Sequence, residues 1–146
     1  MAARKRKAAF VEPMLLMRAD NLPEGDAWQY ELKFDGYRAL AIKTGGKIQL
    51  RSRNDNDFSL RYPAITKGLS SLPNKTVVDG EVVAFDESGK SSFNTLQNHA
   101  ASAEVHFFMF DVLILAGRDV MGEPLTKRRE LMERHIFPKL SEPIRY

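Results

Sequence analysis

The sequence predicts an α+β fold in which a mainly antiparallel sheet is flanked by helices. Two runs of alternating apolar and polar residues, 37–43 and 47–51, are separated by Thr44-Gly45-Gly46, a spacing typical of a β-hairpin. The other predicted strands are short and do not alternate with helices in regular strand–helix–strand units. This arrangement favours antiparallel pairing over a doubly wound parallel sheet. With 146 residues, 43% of them hydrophobic and 28% charged, the chain has the size and composition of one globular domain.

Two elements flank the hairpin in the chain. Before it, the aromatic and alternating residues of 28–32 predict a short strand, where ordered structure is expected to begin. After it, apolar residues recur at helical spacing over 60–72. Pro63 is tolerated in the first turn of such a helix, and Pro73 ends it.

The next strand signal is interrupted by a possible irregularity. Residues 77–78 and 81–86 are rich in valine and other strand formers, and Asp79-Gly80 lies between them. This pattern fits either one bulged strand or two short ones, so we expect a local break in the ladder here.

Three further elements complete the fold. A short helix is predicted at 92–99. The apolar run Val105–Leu115, interrupted only by Asp111, predicts a central buried strand, because it is rich in strand formers and too short to cross a membrane. A last helix is expected at 126–137, stopped by Pro138.

The N-terminus differs in composition from the rest. Residues 1–9 carry four consecutive cations, from Arg4 to Lys7, and are expected to form a flexible basic arm ahead of a domain at 10–146. Such arms are either solvated tails or nucleic-acid contacts, and the sequence leaves both open. The net charge of +3 is compatible with a polyanionic partner without demonstrating one.

Several classes of chemistry are excluded by what the sequence lacks. The absence of cysteine excludes disulfides, thiolate metal sites and cysteine nucleophiles, so any metal would be held by oxygen. The phosphate-loop, dinucleotide, zincin and hydrolase-elbow motifs are also missing. No apolar run is long enough for a membrane span and no secretory signal is recognisable, so we expect a cytoplasmic protein without membrane association.

One charged segment, KFDGYR at 33–38, lies between two predicted strands and is the first candidate for chemistry. It brings Lys33 and Arg38 to the mouth of the sheet, with Gly36 permitting a tight turn beside Asp35. A lysine acts as a nucleophile when desolvation or a neighbouring cation favours its neutral form. The alternative is an ordinary surface turn with solvated charges.

With KFDGYR, the sequence resembles the covalent nucleotidyltransferases, which include DNA ligases, RNA ligases and mRNA capping enzymes. Three further elements follow in the family's order: SRN at 52–54, DGEV at 79–82 and FMFDV at 108–112. The flanking sequence is most similar to that of bacterial ATP-dependent DNA ligases of the end-joining type. The similarity lies in FVEPMLL at 10–16 and in the residues before Lys33. A GTP-using capping enzyme or an RNA ligase shares the lysine motif and is a weaker alternative.

The resemblance implies that Lys33 attacks the α-phosphorus of ATP, forms a lysyl–AMP intermediate and expels pyrophosphate, with Mg²⁺ or Mn²⁺ as the metal. AMP would then pass to the 5′-phosphate of nicked or broken duplex DNA. Arg38 would hold the ribose or phosphate region, and Arg53 would contact phosphate or the 5′-phosphate end of the nick. Both tasks suit the two-pronged guanidinium.

The remaining implied roles fall on carboxylates and one aromatic ring. Glu81 would bind a ribose hydroxyl or help to place the metal, and Glu31 would read the adenine amino group. Phe110 would stack on adenine, although a phenylalanine in such a run is also a normal core residue. Three residues are expected to orient the site: Asp35, Asp79 and Asp111.

The family pattern also has a Glu-Gly element, a lysine pair and an OB-fold domain, none of which occurs in these 146 residues. The sequence is therefore expected to be a partial adenylation domain that self-adenylates slowly or not at all by itself. An incomplete sheet would expose an edge that invites a homodimer or a partner chain. The alternative function is a catalytically inactive nucleotide- or DNA-binding relative that needs such a partner.

Overall fold

The computed structural model describes residues 4–98 and 104–146. In this part of the chain, one sheet of six strands is accompanied by three α-helices and one 3₁₀ turn. The strands are β1 Tyr37–Thr44, β2 Lys47–Ser52, β3 Thr76–Ala84, β4 Val105–Leu115, β5 Arg118–Asp119 and β6 Ile144–Arg145. The helices are α1 Pro63–Gly68, α2 Phe93–Gln97 and α3 Leu125–His135, and the 3₁₀ turn is Phe137–Lys139.

The sheet confirms the predicted α+β class with mainly antiparallel pairing. Its order is β2-β1-β3-β4-β5, all antiparallel, and the short β6 pairs with β4 in parallel. The predicted hairpin is formed by β1 and β2, closed by the pair Thr44 and Lys47. Strand β2 lies at the edge of the sheet, and Lys47 and Arg51 give it charges of the kind that discourage pairing with another edge.

The two faces of the sheet are covered differently. One face packs against the helices in the main core, whose fully buried side chains include Leu50, Ile65, Phe107, Met132 and Ile136. On the other face a smaller apolar cluster is made by five buried residues and three partly buried ones: Ala8, Leu40, Ile42, Val77, Ile114, Phe10, Val11 and Leu113. This second face is the one on which charged side chains of β1 and β3 also lie.

The predicted irregularity is a bulge in the β3–β4 ladder. Strand β3 runs without a break, and Asp79 pairs with Asp111 while Gly80 pairs with Met109. Phe110 is therefore an extra residue on β4 with no partner of its own on β3. The bulge changes the direction of the side chains around Phe110, at the middle of the sheet.

The helices occur where they are predicted, with shorter bounds. Helix α1 begins at Pro63, so that Leu60 lies in the preceding turn and is 95% exposed. Helix α2 is capped by Ser92, whose hydroxyl accepts the N–H of Thr95; its predicted end, His99, lies outside the described residues. Among residues 4–98 and 104–146, no helix has the length and apolar character needed to cross a membrane.

The strand predicted at 28–32 is not formed. Both sides of β1 are already paired, with β2 and β3, so an additional strand in front of β1 has no free neighbour there. Trp28, Tyr30 and Leu32 are each more than half exposed. The alternation of apolar residues in this segment therefore does not correspond to a buried sheet face.

The N-terminal cations lie against the sheet instead of standing away from it. Lys5 forms an isolated antiparallel bridge with Arg118, and the N–H of Arg6 donates to the carbonyl of Gly117 at 2.9 Å. Ala8 is buried against the smaller apolar cluster. The free backbone edge of β5 and the apolar residues that follow the cations explain this contact, which differs from the detached arm expected at 1–9.

We predict that Gly80→Ala destabilises the fold. A Cβ at this position would lie 2.5 Å from both Cζ of Phe107 and the carbonyl oxygen of Phe108, so the β3–β4 ladder would have to shift. The expected loss in the free energy of unfolding is about 1–3 kcal/mol, measured by urea denaturation. Gly122→Ala is the matched control because its Cβ would meet nothing within 4 Å, and equal losses in the two variants would contradict the packing argument.

Candidate functional site

The charged segment 33–38 meets β3 and β4 at one place on the sheet. Arg38 pairs with Glu81 across β1 and β3, and Glu81 pairs with Phe108 across β3 and β4. Residues paired in this way point to the same face, so three strands contribute neighbouring side chains to one surface. This surface is the polar part of the second face, beside the smaller apolar cluster.

Lys33 is the most accessible basic group at this surface. Its side chain is 78% exposed, and its Nζ contacts Oδ1 of Asp35 at 3.2 Å in an ion pair open to water. An exposed pair of this kind contributes little stability and is easily exchanged for another partner. The amine is therefore held near the sheet while remaining accessible to a ligand.

Gly36 is required here for close approach between strands. A Cβ at this position would lie 2.1 Å from the carbonyl oxygen of Val82 on β3. The N–H of Gly36 also donates to Oε1 of Glu81 at 3.1 Å. The glycine expected to permit a tight turn thus has another role, which is to bring the segment after Lys33 against β3.

A buried ion pair joins β1 to β3 in the middle of the surface. Nε and Nη2 of Arg38 donate to the two carboxylate oxygens of Asp79, each at 2.7 Å. The hydrogen bond to Asp79 raises the pKa of Arg38, and burial raises the pKa of Asp79 despite the opposing effect of the arginine. The short, two-pronged geometry is that of a charge-assisted pair, and Asp79 fixes the direction of the Arg38 guanidinium.

Phe110, the extra residue of the bulge, lies under this arginine. The Cζ of Arg38 is 4.8 Å from the centroid of the Phe110 ring, within the range of a cation–π contact. The ring is only partly buried, so it is not an ordinary core side chain. One face of the ring meets the guanidinium.

Two of the predicted site carboxylates contact helix α3. Asp111 accepts hydrogen bonds from Nε and Nη2 of Arg128, at 2.7 and 3.0 Å. Glu31 forms an ion pair with Arg129, the next residue of the helix. Glu31 is therefore paired with the protein itself in this structure, and Asp111 ties the bulge to α3. The roles expected of them, reading adenine and orienting the site, stay predictions.

Arg53 lies in the turn after β2 and is exposed. The pairing of Ser52 with Ala39 puts this turn beside the start of β1, at the same end of the sheet as Lys33. Within residues 4–98 and 104–146, Arg53 forms no hydrogen bond or ion pair through its side chain. Its guanidinium is available to an anion.

Glu81 is the carboxylate best placed to hold a cation together with a ligand. It is partly buried, and burial raises its pKa, while the N–H of Gly36 acts in the opposite direction. The described residues contain no group of three or more His, Cys, Asp or Glu that could bind a metal ion by themselves. Glu81 fits the way in which Mg²⁺ is often held, by one or two carboxylates and the phosphates of the ligand.

The sequence reasoning did not find Arg128 and Arg129. In the sequence they belong to a run of charges on a predicted surface helix, which is the ordinary pattern of a solvated helix face. The sequence also does not predict the role of Phe34, the residue directly after Lys33. Its ring centroid lies 4.3 Å from that of Phe108 on β4, and this contact anchors the segment against the sheet. These contacts cannot be predicted without knowing which elements pack together.

Comparison with known proteins gives one family for most of the chain. Residues 13–145 match the family described as "ATP dependent DNA ligase domain". The match includes every sequence element of the site described above, from Glu31 to Asp111.

Individual relatives agree with that family. The multifunctional non-homologous end joining protein LigD of Mycolicibacterium smegmatis is 40% identical over 107 residues, which cover 73% of this chain and 14% of that protein. DNA ligase C1 of the same organism is 34% identical over 145 residues, covering 88% of this chain and 42% of that protein. The chain therefore corresponds to less than half the length of either relative.

A solved structure shares the fold. A mycobacterial DNA ligase D complexed with ATP and MES has a TM-score of 0.67 and 34% sequence identity, covering 80% of this chain and 38% of that chain. The antiparallel sheet with its flanking helices is thus the nucleotidyltransferase fold of ligase adenylation domains.

We predict that Arg128→Ala destabilises the protein more than Arg134→Ala does. Both arginines are on α3, but Arg128 and Asp111 are 16% and 17% exposed, whereas Arg134 is 68% exposed in its pair with Glu130. Removing Arg128 leaves a largely buried carboxylate without its partner, at a cost of about 1–3 kcal/mol. Removing Arg134 should cost less than about 1 kcal/mol. Equal losses in urea denaturation would contradict the assignment of Arg128.

We predict opposite pH trends for Glu81→Gln and Glu130→Gln. The pKa of Glu81 is raised by burial, so the folded protein loses stability as pH rises from the unfolded pKa through the folded one. A glutamine at this position does not titrate and still accepts the hydrogen bond from the N–H of Gly36. The free energy of unfolding of the variant should therefore rise relative to that of the wild type as pH rises from about 4 to 7. The pKa of Glu130 is lowered by Lys127 and then Arg134, so its contribution to stability is complete above the unfolded pKa and is lost as pH falls through the folded one. Glu130→Gln should therefore lose stability relative to the wild type as pH rises, but mainly below about pH 5. Parallel trends in urea denaturation would contradict the burial of Glu81.

Proposed function

The chain belongs to the ATP-dependent DNA ligase family, and from this premise we propose that it binds ATP on the open face of its sheet and carries AMP on Nζ of Lys33. One observation above all supports the proposal. An accessible lysine stands beside a surface to which three strands bring an arginine, a carboxylate and a partly exposed aromatic ring, namely Arg38, Glu81 and Phe110.

The proposed step is an in-line displacement at the α-phosphorus. The neutral amine of Lys33 forms the P–N bond, the bond from phosphorus to the bridging oxygen of pyrophosphate breaks, and the displaced electron pair leaves on pyrophosphate. One proton of the attacking nitrogen is released to water. The product is a phosphoramidate between the lysine and AMP, and pyrophosphate is the leaving group.

The residues around the lysine suit the charges of this step. Arg38 donates two hydrogen bonds to Asp79, which keeps its guanidinium charged. The same contact orients the planar group over Phe110 before any ligand binds. Adenine would stack on Phe110, and the ribose or a phosphate would meet Arg38. Asp35 would release Lys33 when the nucleotide enters, since their contact is exposed.

Mg²⁺ would be held by Glu81 and the phosphates of ATP, and Mn²⁺ would fit the same ligands. When bound, the ion supplies positive charge to the leaving pyrophosphate. The N–H of Gly36 would help to orient Glu81 toward the ion, because it binds one of the two carboxylate oxygens.

The proposed acceptor of the AMP group is the 5′-phosphate at a break in duplex DNA. Arg53 supports this part of the proposal, because it is exposed at the same end of the sheet as Lys33 and its side chain has no partner among the described residues. The names of the relatives, which include end-joining and DNA ligase proteins, support nicked or broken duplex DNA as the substrate class.

We predict that incubation with ATP labelled at the α-phosphate and Mg²⁺ or Mn²⁺ labels the protein covalently, and slowly, because these 146 residues contain neither the Glu-Gly element nor the lysine pair of the family pattern. The label should survive denaturing electrophoresis and be released by mild acid, as a P–N bond is. ATP labelled at the γ-phosphate should leave no label because pyrophosphate departs. Lys33→Arg should abolish the label, and Arg38→Ala should slow its appearance by roughly 10²–10³-fold. Lys47→Arg, which changes an exposed lysine of the hairpin turn, is the matched control.

The same experiment separates the proposal from its alternative. Label that persists in Lys33→Arg would show that another residue is modified. Nucleotide binding by calorimetry without any covalent label would make the chain a binding module and contradict the proposed step.

A further inference from the structure

A second concave surface lies where the end of β4 and strand β5 meet helix α3. It is a cavity of about 320 Å³, and its floor includes the apolar side chains Leu115, Val120 and Leu131. Its rim includes Arg118, Lys127 and Lys139. We call it the β5–α3 groove.

The β5–α3 groove is separate from the surface around Lys33. Phe108 and Leu115 are seven residues apart on β4, a distance of roughly 23 Å at the rise of an extended strand. Its floor belongs to the helix-covered face, since Val120 is part of the main core and Leu115 and Leu131 pack against that core. Arg38, Asp79 and Glu81 lie on the other face. Helix α3 contacts the nucleotide surface through Arg128 and Arg129, neither of which is among the described residues that line the groove.

The charge around the groove is predominantly positive. His135 also lines it, and within 4–98 and 104–146 Glu123 is the one carboxylate that lines it. Lys127 has a partner in Glu130, at 3.0 Å. Arg118 and Lys139 are exposed, and within the described residues their side chains form no ion pair or hydrogen bond.

The N-terminal cations extend this positive surface. Lys5 forms its bridge with Arg118, and the carbonyl of Arg4 accepts the N–H of Asp119 at 2.8 Å. The side chains of Arg4 and Lys5 are exposed, while Arg6 is paired with Asp119. The basic run of the N-terminus thus lies beside the groove and adds charge of the same sign.

We propose that the β5–α3 groove docks an acidic peptide segment of a partner protein, with one apolar side chain of the peptide on the floor and its carboxylates on the rim. The volume suits one or two apolar side chains and is at the low end of the roughly 300–1,000 Å³ typical of sites for small molecules. The unpaired cations Arg118 and Lys139 complement carboxylates on either side of such an anchor.

Nucleic acid fits the groove less well. Binding of single strands relies on aromatic side chains for base stacking, and no Phe, Tyr or Trp is found among the described residues that line this groove. A phosphate backbone would use the rim and leave the apolar floor empty. The apolar floor is therefore the feature that favours a peptide.

The test uses fluorescence anisotropy with a labelled twelve-residue peptide of Glu and Asp carrying a central Leu-Phe pair. Two matched peptides replace either the Leu-Phe pair by Ser-Gly or all the acids by Gln and Asn. We expect the full probe to bind in a salt-dependent way and both matched peptides to bind at least about tenfold more weakly. Equal binding of the Ser-Gly peptide would overturn the proposal, because the floor would then play no part.

Protein variants locate the binding. Arg118→Glu with Lys139→Glu should weaken the probe at least about tenfold, and Lys67→Glu on α1 should not. The double variant should keep covalent labelling at Lys33, so failure of the docking proposal is distinguishable from failure of the nucleotide proposal. A duplex of 20 base pairs that displaces the probe and depends on the same two residues would identify a nucleic-acid surface and overturn the peptide proposal.

Discussion

The ion pair between Arg38 and Asp79 is the contact on which the geometry of the nucleotide surface depends. It joins adjacent strands, it is nearly closed to water on the Asp79 side, and it aligns the guanidinium above Phe110. A buried pair of this kind is not an efficient source of stability, since its desolvation offsets much of the attraction. Its value here is positional, because removal of either partner would leave a buried charge and free the other side chain to move.

This ion pair also explains why the second face of the sheet is divided. Leu40 and Ile42 follow Arg38 along β1 and are covered by the N-terminal segment through Ala8. Arg38 and Asp79 cannot be covered by apolar residues at low cost, so this half of the face stays polar and suits a charged ligand. Gly36 completes the arrangement, because the absence of a side chain there lets the segment after Lys33 approach β3.

Sequence reasoning predicted the elements whose signals are local. The hairpin, β4 and α3 follow from periodicity and turn residues. Three of the four ordered motifs contain Lys33, Arg38, Glu81 and Phe110, which lie near one surface of the sheet. It could not assign Glu31 to Arg129, because that contact depends on how α3 packs against the sheet. The strand expected at 28–32 is wrong for a related reason, since both sides of β1 are paired and the apolar side chains of 28–32 do not pack on a sheet face.

The central claim is that ATP occupies the polar half of the open sheet face. Amide chemical-shift mapping by NMR during titration with ATP and Mg²⁺ tests it most directly. The account predicts the largest shifts at Gly36, at Glu81 and along 108–111, with little change around Arg118 and Lys139. Shifts centred on the β5–α3 groove, or none on the strands at saturating ATP, would contradict it.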